Sequence, residues 1–141
     1  MRVLHPIVAA AVACSVVATP GRAADPEFPF DKVLNLDVAQ MKPSKRKPSL
    51  TIAANGAAVI DLWCNSIEGK AEVSGEAITI TPAALPDTPP AAISYGQCTP
   101  ERLQADESLR EALAQVSAWR RQGAALVLSG PAPMRFYPST N

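Results

Sequence analysis

Residues 50–64 read LTIAANGAAVIDLWC, and this stretch decides the class of the fold. Two largely apolar runs, residues 50–54 and 57–63, flank the dipeptide Asn55-Gly56, whose members tolerate the positive φ angles of a tight hairpin turn. The second run places its apolar side chains at every other position: Ala58, Ile60, Leu62 and Cys64. A period of two is typical of a half-buried strand, so the stretch predicts a β-hairpin with Cys64 continuing its buried face.

The flanking sequence predicts more short strands. Ala71 and Val73 alternate with polar residues, Gly75 is placed as a turn, and Ile78 and Ile80 resume the alternation, which gives a second hairpin. Similar patterns predict strands at residues 33–38, 91–95, 124–128 and 134–137. The strand at 91–95 is expected to lie at an edge and to lead into Cys98.

A helix is predicted between the two groups of strands. Thr99-Pro100-Glu101 places a capping hydroxyl before a proline at the first helical position. Asp106 is expected to restart the helix after an irregular turn, and Asp106-Glu107 then supplies negative charge near a helix N-terminus. The segment ends at Gly123, and an apolar stripe at helical spacing precedes it: Leu109, Ala112, Leu113, Val116 and Trp119.

Together these elements predict a mainly β fold. We expect an antiparallel, half-barrel-like sheet of about six or seven short strands, with one α-helix near the C-terminal third packed at the open side of the sheet. We assign residues 33–138 to this domain and residues 24–32 to a lead-in segment.

The first 23 residues have the layout of a secretory signal peptide. Met1-Arg2 is a short positive region, residues 3–18 hold no Asp, Glu, Lys or Arg, and Gly21-Arg22-Ala23 presents small residues to a signal peptidase. We therefore expect cleavage after Ala23 and a protein that is periplasmic or secreted. A second interpretation stays open, because residues 11–14 resemble a lipobox in which Cys14 would be lipidated.

Removal of residues 1–23 changes the composition in a way that narrows the function. It takes away two of the 13 basic residues and none of the 13 acidic ones, which leaves a net charge of −2. A weakly acidic chain is a poor candidate for nucleic-acid binding. The single histidine, His5, is lost as well, which excludes histidine-based nucleophile pairs and metal sites. We expect no cofactor and, in the mature chain, no transmembrane segment.

The same cleavage leaves an even number of cysteines. Without Cys14, Cys64 and Cys98 remain as a pair in an oxidising compartment, and we expect them to form a disulfide. Such a bond closes a loop of about 35 residues and stabilises the fold by roughly 3–4 kcal/mol on a chain-entropy estimate. Two cysteines alone do not complete a tetrahedral metal site.

The placed elements resemble those of a META domain, the family that includes the HslJ heat-inducible proteins. The matching features extend over residues 50–137: Cys64-Asn65, Gly69, Ala77-Ile78-Thr79-Ile80, Gln97-Cys98, Glu107, Leu109, residues 119–123, Ala125-Leu126-Val127-Leu128 and Arg135-Phe136. The sequence departs from the family pattern at Trp63, where a glycine usually precedes the Cys-Asn pair. It departs again in the strand after the helix, which here contains Arg120-Arg121-Gln122.

The resemblance implies a mainly antiparallel half-barrel with one helix, in proteins that are usually exported or lipid-anchored. It implies no catalytic, cofactor-binding or metal-binding residues, because the family has no established active site to carry over.

Two pairs of residues have a functional as well as a structural interpretation. Asp61 and Glu72 could face each other for glycoside chemistry, although carboxylates that alternate with apolar residues usually mark the solvated face of a sheet. Trp63 and Tyr95 could form a platform for a sugar, although packing in the core or at its rim is the commoner role of such side chains.

The loop before the first hairpin holds two further candidates. Ser44 and Lys47 have the spacing of a Ser-Lys dyad, but Pro43 and Pro48 disfavour the helix that this spacing requires. A basic cluster could contact anionic lipid or polysaccharide, or could simply be a solvated loop: Lys42, Lys45, Arg46 and Lys47.

Three functions are compatible with this sequence. The leading hypothesis is an exported, non-catalytic module of the bacterial envelope that binds an unknown protein partner or supports stress tolerance. The second is a carrier of a small apolar ligand, which requires a cavity of a few hundred Å³ on the concave face of the sheet. Its lining would be Ile60, Leu62, Val73 and Ile78. The third is a hydrolase acting through Asp61 and Glu72; we expect the first, and hence no enzyme.

Overall fold

A computed structural model describes residues 27–42, 45–87 and 98–140. Within these ranges it contains eight strands and one helix. They are β1 (Leu34–Leu36), β2 (Ser49–Ile52), β3 (Ala57–Asp61), β4 (Ser66–Ser74), β5 (Ala77–Pro82), α1 (Pro100–Ala114), β6 (Ala118–Gln122), β7 (Ala125–Ser129) and β8 (Met134–Pro138). The predicted signal peptide, the cleavage point after Ala23, Cys14 and the strand at 91–95 lie outside the described residues.

The sheet is a closed antiparallel barrel in which neighbours in sequence are neighbours in space. Strand β1 closes it by pairing with β2 on one side and with β8 on the other, where Asn35 lies opposite Tyr137. The mainly β class with one helix is confirmed, but the predicted half-barrel of six or seven strands is wrong. The alternation in a strand identifies its buried face and carries no information about a second partner 100 residues away.

The hairpin encoded by residues 50–64 is confirmed, with Leu50 opposite Ile60. Its turn differs from a two-residue turn, because only Gly56 of the Asn-Gly pair has a positive φ, 89°. The Ala53 N–H donates to the Ala57 carbonyl (2.8 Å), and the Gly56 N–H donates to the Ala53 carbonyl (2.9 Å). This is the pattern of a three-residue loop that ends in a glycine bulge.

The helix is a single element, so the predicted restart at Asp106 is wrong. The Thr99 hydroxyl caps it by accepting from the Arg102 N–H (3.3 Å), with Pro100 at the first helical position as expected. Its end comes earlier than the apolar stripe suggested, because Trp119 belongs to β6 and Gly123 (φ 60°) turns β6 into β7. This outcome agrees with the strand that the family resemblance placed after the helix.

The barrel interior is filled by side chains from every strand and from the helix. One end is covered by the lead-in segment. Phe28 is buried there and packs edge-on against Trp119, with ring centroids 5.1 Å apart. The Trp119 indole N–H donates to the Gly75 carbonyl (2.7 Å), which fixes the ring under the β4–β5 turn.

The weakest-paired seam of the barrel lies between β5 and β6. Among the described residues, the two strands share one bridge, between Ala77 and Ala118. That bridge consists of two backbone hydrogen bonds, from the Ile78 N–H to the Ser117 carbonyl (3.1 Å) and from the Trp119 N–H to the Glu76 carbonyl (2.9 Å). Helix α1 packs along β5 at this seam. The helix therefore covers the place where strand pairing is sparsest, which is the counterpart of the open side expected from the sequence.

We expect Gly56→Ala to destabilise the barrel more than Gly75→Ala. Both glycines have positive φ, 89° and 58°, so alanine is strained at either position by about 1 kcal/mol. At Gly56 the added Cβ would also lie 2.8 Å from the Ala71 carbonyl oxygen, whereas at Gly75 no atom lies within 4 Å.

Urea unfolding followed by tryptophan fluorescence should give a loss of about 1 kcal/mol for Gly75→Ala and of at least about 2 kcal/mol for Gly56→Ala. Equal losses would contradict the close approach of β4 to the glycine bulge.

Candidate functional site

The turn between β3 and β4 is held by several buried hydrogen bonds. The Leu62 N–H donates to the Asn65 carbonyl (2.7 Å), which closes residues 62–65 into a compact loop. In this loop the N–H groups of Trp63, Cys64 and Asn65 all donate to the carboxylate of one residue, Asp106. Successive backbone N–H groups that converge in this way form an anion-binding nest.

Asp106 fills that nest as a fully buried anion. Its carboxylate accepts from the Trp63 N–H at 2.7 Å, the Cys64 N–H at 3.1 Å and the Asn65 N–H at 2.9 Å. The Asn65 side-chain amide adds a fourth donor at 2.9 Å. Because Asp106 lies in the middle of α1, the predicted role as a charge at a helix N-terminus is wrong. Its negative charge is compensated by the turn instead.

Arg102 binds the same turn from one helical turn earlier. Its side chain is 2% exposed, and its Nη2 donates to the Trp63 carbonyl (2.7 Å). The two buried charged side chains of α1 therefore engage both backbone polar groups of Trp63, its N–H and its carbonyl. A buried charge requires such compensation, because an uncompensated one costs several kcal/mol.

The predicted disulfide is present at this junction. Cys64 belongs to the turn and Cys98 immediately precedes the helix cap, with Cα atoms 5.7 Å apart. Both cysteines are buried. Cys64 lies in the turn and not on the strand that the alternation suggested, since β3 ends at Asp61. The three turn residues and the two helix residues that bond to them are called the turn–helix junction below: Trp63, Cys64, Asn65, Arg102 and Asp106.

Sequence reasoning did not identify Arg102 and Asp106 as buried, although a signal for them exists. The apolar stripe of the helix contains Leu109 and Leu113. Steps of three and four residues back from Leu109 reach Asp106 and then Arg102, so all four share one helical face. The stripe was interpreted as starting at Leu109 because charged residues are rarely fully buried.

The exposed part of the helix holds an ordinary surface ion pair. Arg110 donates to Glu107 at 2.9 Å. This hydrogen bond raises the pKa of Arg110 above its usual value, so the guanidinium stays charged across the accessible pH range.

The two carboxylates proposed for hydrolysis are not brought together. Asp61 accepts from Ser66 (2.6 Å), Ser49 (3.3 Å) and Arg46 (3.3 Å) on the outer face of the barrel. Glu72 lies on β4 six residues beyond Ser66, the partner of Asp61 in the sheet. Six residues of strand span about 20 Å, whereas glycoside hydrolysis requires carboxylates within about 10 Å. The register therefore does not bring Asp61 and Glu72 to the separation that the hydrolase alternative requires.

The remaining candidates are the Trp63–Tyr95 sugar platform, the basic loop and the Ser44–Lys47 dyad. Trp63 is buried, which excludes it from an exposed sugar platform, and Tyr95 lies outside the described residues. The residues of the basic loop that the structure describes are exposed, and Arg46 bonds Asp61 (3.3 Å). Ser44 is not among the described residues, and no helix includes Lys47.

The residues expected to face a ligand lie in the core. Ile60, Leu62 and Ile78 are at most 1% exposed, and Val73 packs partly buried against them. They face the barrel interior as predicted, but there they contact other core side chains. Four surface grooves among the described residues are lined by other residues. One of them, about 560 Å³, runs beside Phe28 and Arg121.

Neither a metal site nor a membrane-spanning helix is found in the described ranges. No group of three or more His, Cys, Asp or Glu residues there is arranged to hold a metal ion. The helix found there does not have the length and apolar character needed to cross a bilayer.

Comparison with protein families decides the identity of the fold. The model of the META domain family matches residues 31–140, which is most of the chain. The chain belongs to the META domain family. Comparison of this META domain with curated proteins found no match.

Two solved structures resemble this META domain. One is a protein from Burkholderia xenovorans determined by NMR, with a TM-score of 0.54 and 17% identity over 90% of this chain and 99% of the other. The second is a crystal structure of a DUF4847 family protein from Bacteroides vulgatus, with a TM-score of 0.47 and 19% identity over 67% of this chain. The present chain spans 60% of that second protein. At 17% identity, the similarity to the Burkholderia xenovorans protein concerns the fold alone.

We expect Asp106→Asn to destabilise this META domain severely. The substitution keeps the shape of the side chain but replaces one acceptor oxygen by an NH₂ group that faces backbone N–H donors. It also leaves Arg102 in a buried site without the neighbouring negative charge. The expected loss in the free energy of unfolding is about 3–5 kcal/mol.

The matched control is Glu107→Gln, the same change at the next residue. Its carboxylate is 38% exposed and its ion pair is at the surface, so about 0.5 kcal/mol or less should be lost. Urea unfolding of both variants, in oxidised form, measures the difference. If the two variants unfolded at the same urea concentration, the nest would not hold the helix.

We expect the double variant Cys64→Ser/Cys98→Ser to fold with a loss of about 4 kcal/mol, since the bond closes a loop between residues 34 positions apart. Reduction of the unsubstituted protein should cause the same loss, and reductant should leave the double variant unchanged. A stability that does not respond to reductant in the unsubstituted protein would contradict a bonded pair.

Proposed function

We propose that this chain is an exported, non-catalytic module of the bacterial envelope that acts by binding through the outer surface of its barrel, in a binding or stress-related role. Export is supported by the signal-peptide pattern of residues 1–23. It is also supported by the disulfide between Cys64 and Cys98, a bond that persists in oxidising compartments.

The non-catalytic part of the proposal is supported by the contacts of the buried charged side chains, which are all made within the protein. Among the described residues, the buried charged side chains are Arg102 and Asp106. Both are bonded to the turn at residues 63–65, and at 2% and 0% exposure neither meets solvent. A general acid, base or nucleophile must come within hydrogen-bond distance of a substrate. Arg102 and Asp106 bond to the turn and are not accessible to a substrate.

The packed interior supports binding on the outside. The core cluster fills the barrel, Phe28 covers one end, and the turn–helix junction covers the other. A carrier with an internal cavity would need this core to be replaced by empty volume of ligand size. The outer wall is the surface that remains available to a partner.

The test of export is the intact mass of the protein recovered from the periplasmic fraction, measured with and without reductant after alkylation. We expect a chain that begins at Ala24, with no alkylated thiol until reductant is added and two alkylated thiols afterwards. Recovery of the uncleaved chain in the cytosol, with all thiols free, would overturn the proposal.

The control for the alternative anchor is Cys14→Ser. If the leader is cleaved after Ala23, this substitution leaves the mass of the mature protein unchanged, because residue 14 is absent from it. If Cys14 is lipidated, the substitution removes both the lipidation site and the cleavage before residue 14, so the mass of the recovered protein changes. Either result keeps the protein in the envelope, and the mass decides between the two forms.

A further inference from the structure

The C-terminal strands carry charge of one sign. Residues 112–141 contain three arginines, Arg120, Arg121 and Arg135, and no aspartate or glutamate. These residues include β6, β7 and β8, which are adjacent in the barrel. Arg121 is opposite Leu126, a core residue, and so lies on the other face of β6, which leaves Arg120 and Arg135 to define one cationic wall.

Two of the arginines lie in one row on the outside of that wall. Val127 of β7 pairs with Arg120 on one side and with Arg135 on the other. Leu126 and Leu128, its neighbours along the strand, belong to the core cluster, so Val127 faces outward. Two strand spacings separate the arginines, which places their Cα atoms about 10 Å apart.

The side chains of this row divide into apolar stems and charged heads. Val127 is only 7% exposed although it faces solvent, whereas Arg120 and Arg135 are exposed. We attribute the burial of Val127 to the aliphatic stems of the flanking arginines. Arg135 Nη2 donates to Gln122 Oε1 (2.9 Å), which orients the guanidinium and uses one of its five N–H donors.

An apolar border adjoins the arginine row. Of the three large hydrophobic residues that are exposed in the described part of the chain, two lie here: Tyr137 at 39% and Val33 at 48%. Tyr137 follows Arg135 by two residues and so shares its face. The Val33 carbonyl accepts from the Ser139 N–H (2.8 Å), which continues the pairing of β1 with β8. Asp37 is the acidic residue beside the row, and its N–H donates to the Arg135 carbonyl (2.8 Å).

We propose that this outer face, defined by Arg120, Arg135, Tyr137 and Val33 and named the arginine face, docks onto an anionic phospholipid surface. The inference rests on the proposed function, since an exported protein lies next to such a surface. Guanidinium groups bind phosphate with paired hydrogen bonds. Tyrosine is enriched at membrane–water interfaces, where its ring is in the apolar layer and its hydroxyl is in water.

The test is sedimentation of the mature, oxidised protein with two kinds of vesicle. One contains phosphatidylcholine with about 30% phosphatidylglycerol, and the other contains phosphatidylcholine alone. We expect the protein to sediment with the anionic vesicles only, and to be released by roughly 0.5 M salt because screening weakens attraction between exposed charges.

The decisive variant is Arg120→Gln/Arg135→Gln, which keeps part of each aliphatic stem over Val127. Each basic residue near an anionic surface contributes about fivefold to partitioning, so the double variant should bind roughly 30-fold more weakly. The matched control is Arg121→Gln/Lys70→Gln, which removes the same charge elsewhere. Arg121 lies toward Glu27 at the Phe28 end, and Lys70 lies on β4. The control should lose about threefold or less.

Several outcomes would overturn the proposal. They are equal binding to both kinds of vesicle, equal losses in the two double variants, and no binding to either kind of vesicle. Unfolding curves of the variants must coincide with that of the unsubstituted protein, which shows that Val127 remains covered. Failure of export would be seen by fractionation and leaves the vesicle result unaffected, so the two proposals fail separately.

Discussion

The carboxylate of Asp106 is the interaction on which the rest of the structure depends. The β3–β4 turn buries three backbone N–H groups that have no partner in the sheet, and the helix buries the Asp106 carboxylate. The hydrogen bonds between them satisfy both. Either group alone would carry the desolvation cost of an unsatisfied buried charge or donor. Each compensates the other. The contact joins residues 41 to 43 positions apart and so fixes the helix to the barrel.

This attachment matters because one seam of the closed barrel is weakly paired. Among the described residues, β5 and β6 share a single bridge, between Ala77 and Ala118, and α1 packs against β5 beside it. The helix is fixed at its start by the disulfide, Arg102 and Asp106, and near its end by Leu113 in the core. A helix held at both ends replaces the missing pairing by packing. Loss of the attachment at the helix start would therefore expose the seam first.

Elements set by neighbouring residues could be predicted from the sequence, whereas contacts between residues far apart in the chain could not. Both hairpins follow from alternation and turn residues, the capped start at Thr99 follows from its hydroxyl and the proline after it, and the closing strands follow from short apolar runs beside turn residues. All of these signals act within a few positions. Closure by β1 and β8 depends on register between distant segments. The separation of Asp61 from Glu72 could not be derived for the same reason, because alternation gives the face of a residue and not its position along the neighbouring strand. Asp106 was misassigned because burial of a charge depends on a partner elsewhere in the chain.

The composition of β7 connects the closed fold to its outer surface. Its residues 125–128 are all buried, a pattern expected of strands covered on both faces. In a barrel one face of every strand points outward, so the burial of Ala125 and Val127 requires cover from side chains outside the barrel interior. Arg120 and Arg135 provide that cover beside Val127, because an arginine can place its methylenes on an apolar surface and its charge in water. The same requirement therefore brings two guanidinium groups to one outer wall, next to Tyr137. The cationic character of that wall follows from the way the strand beneath it is packed.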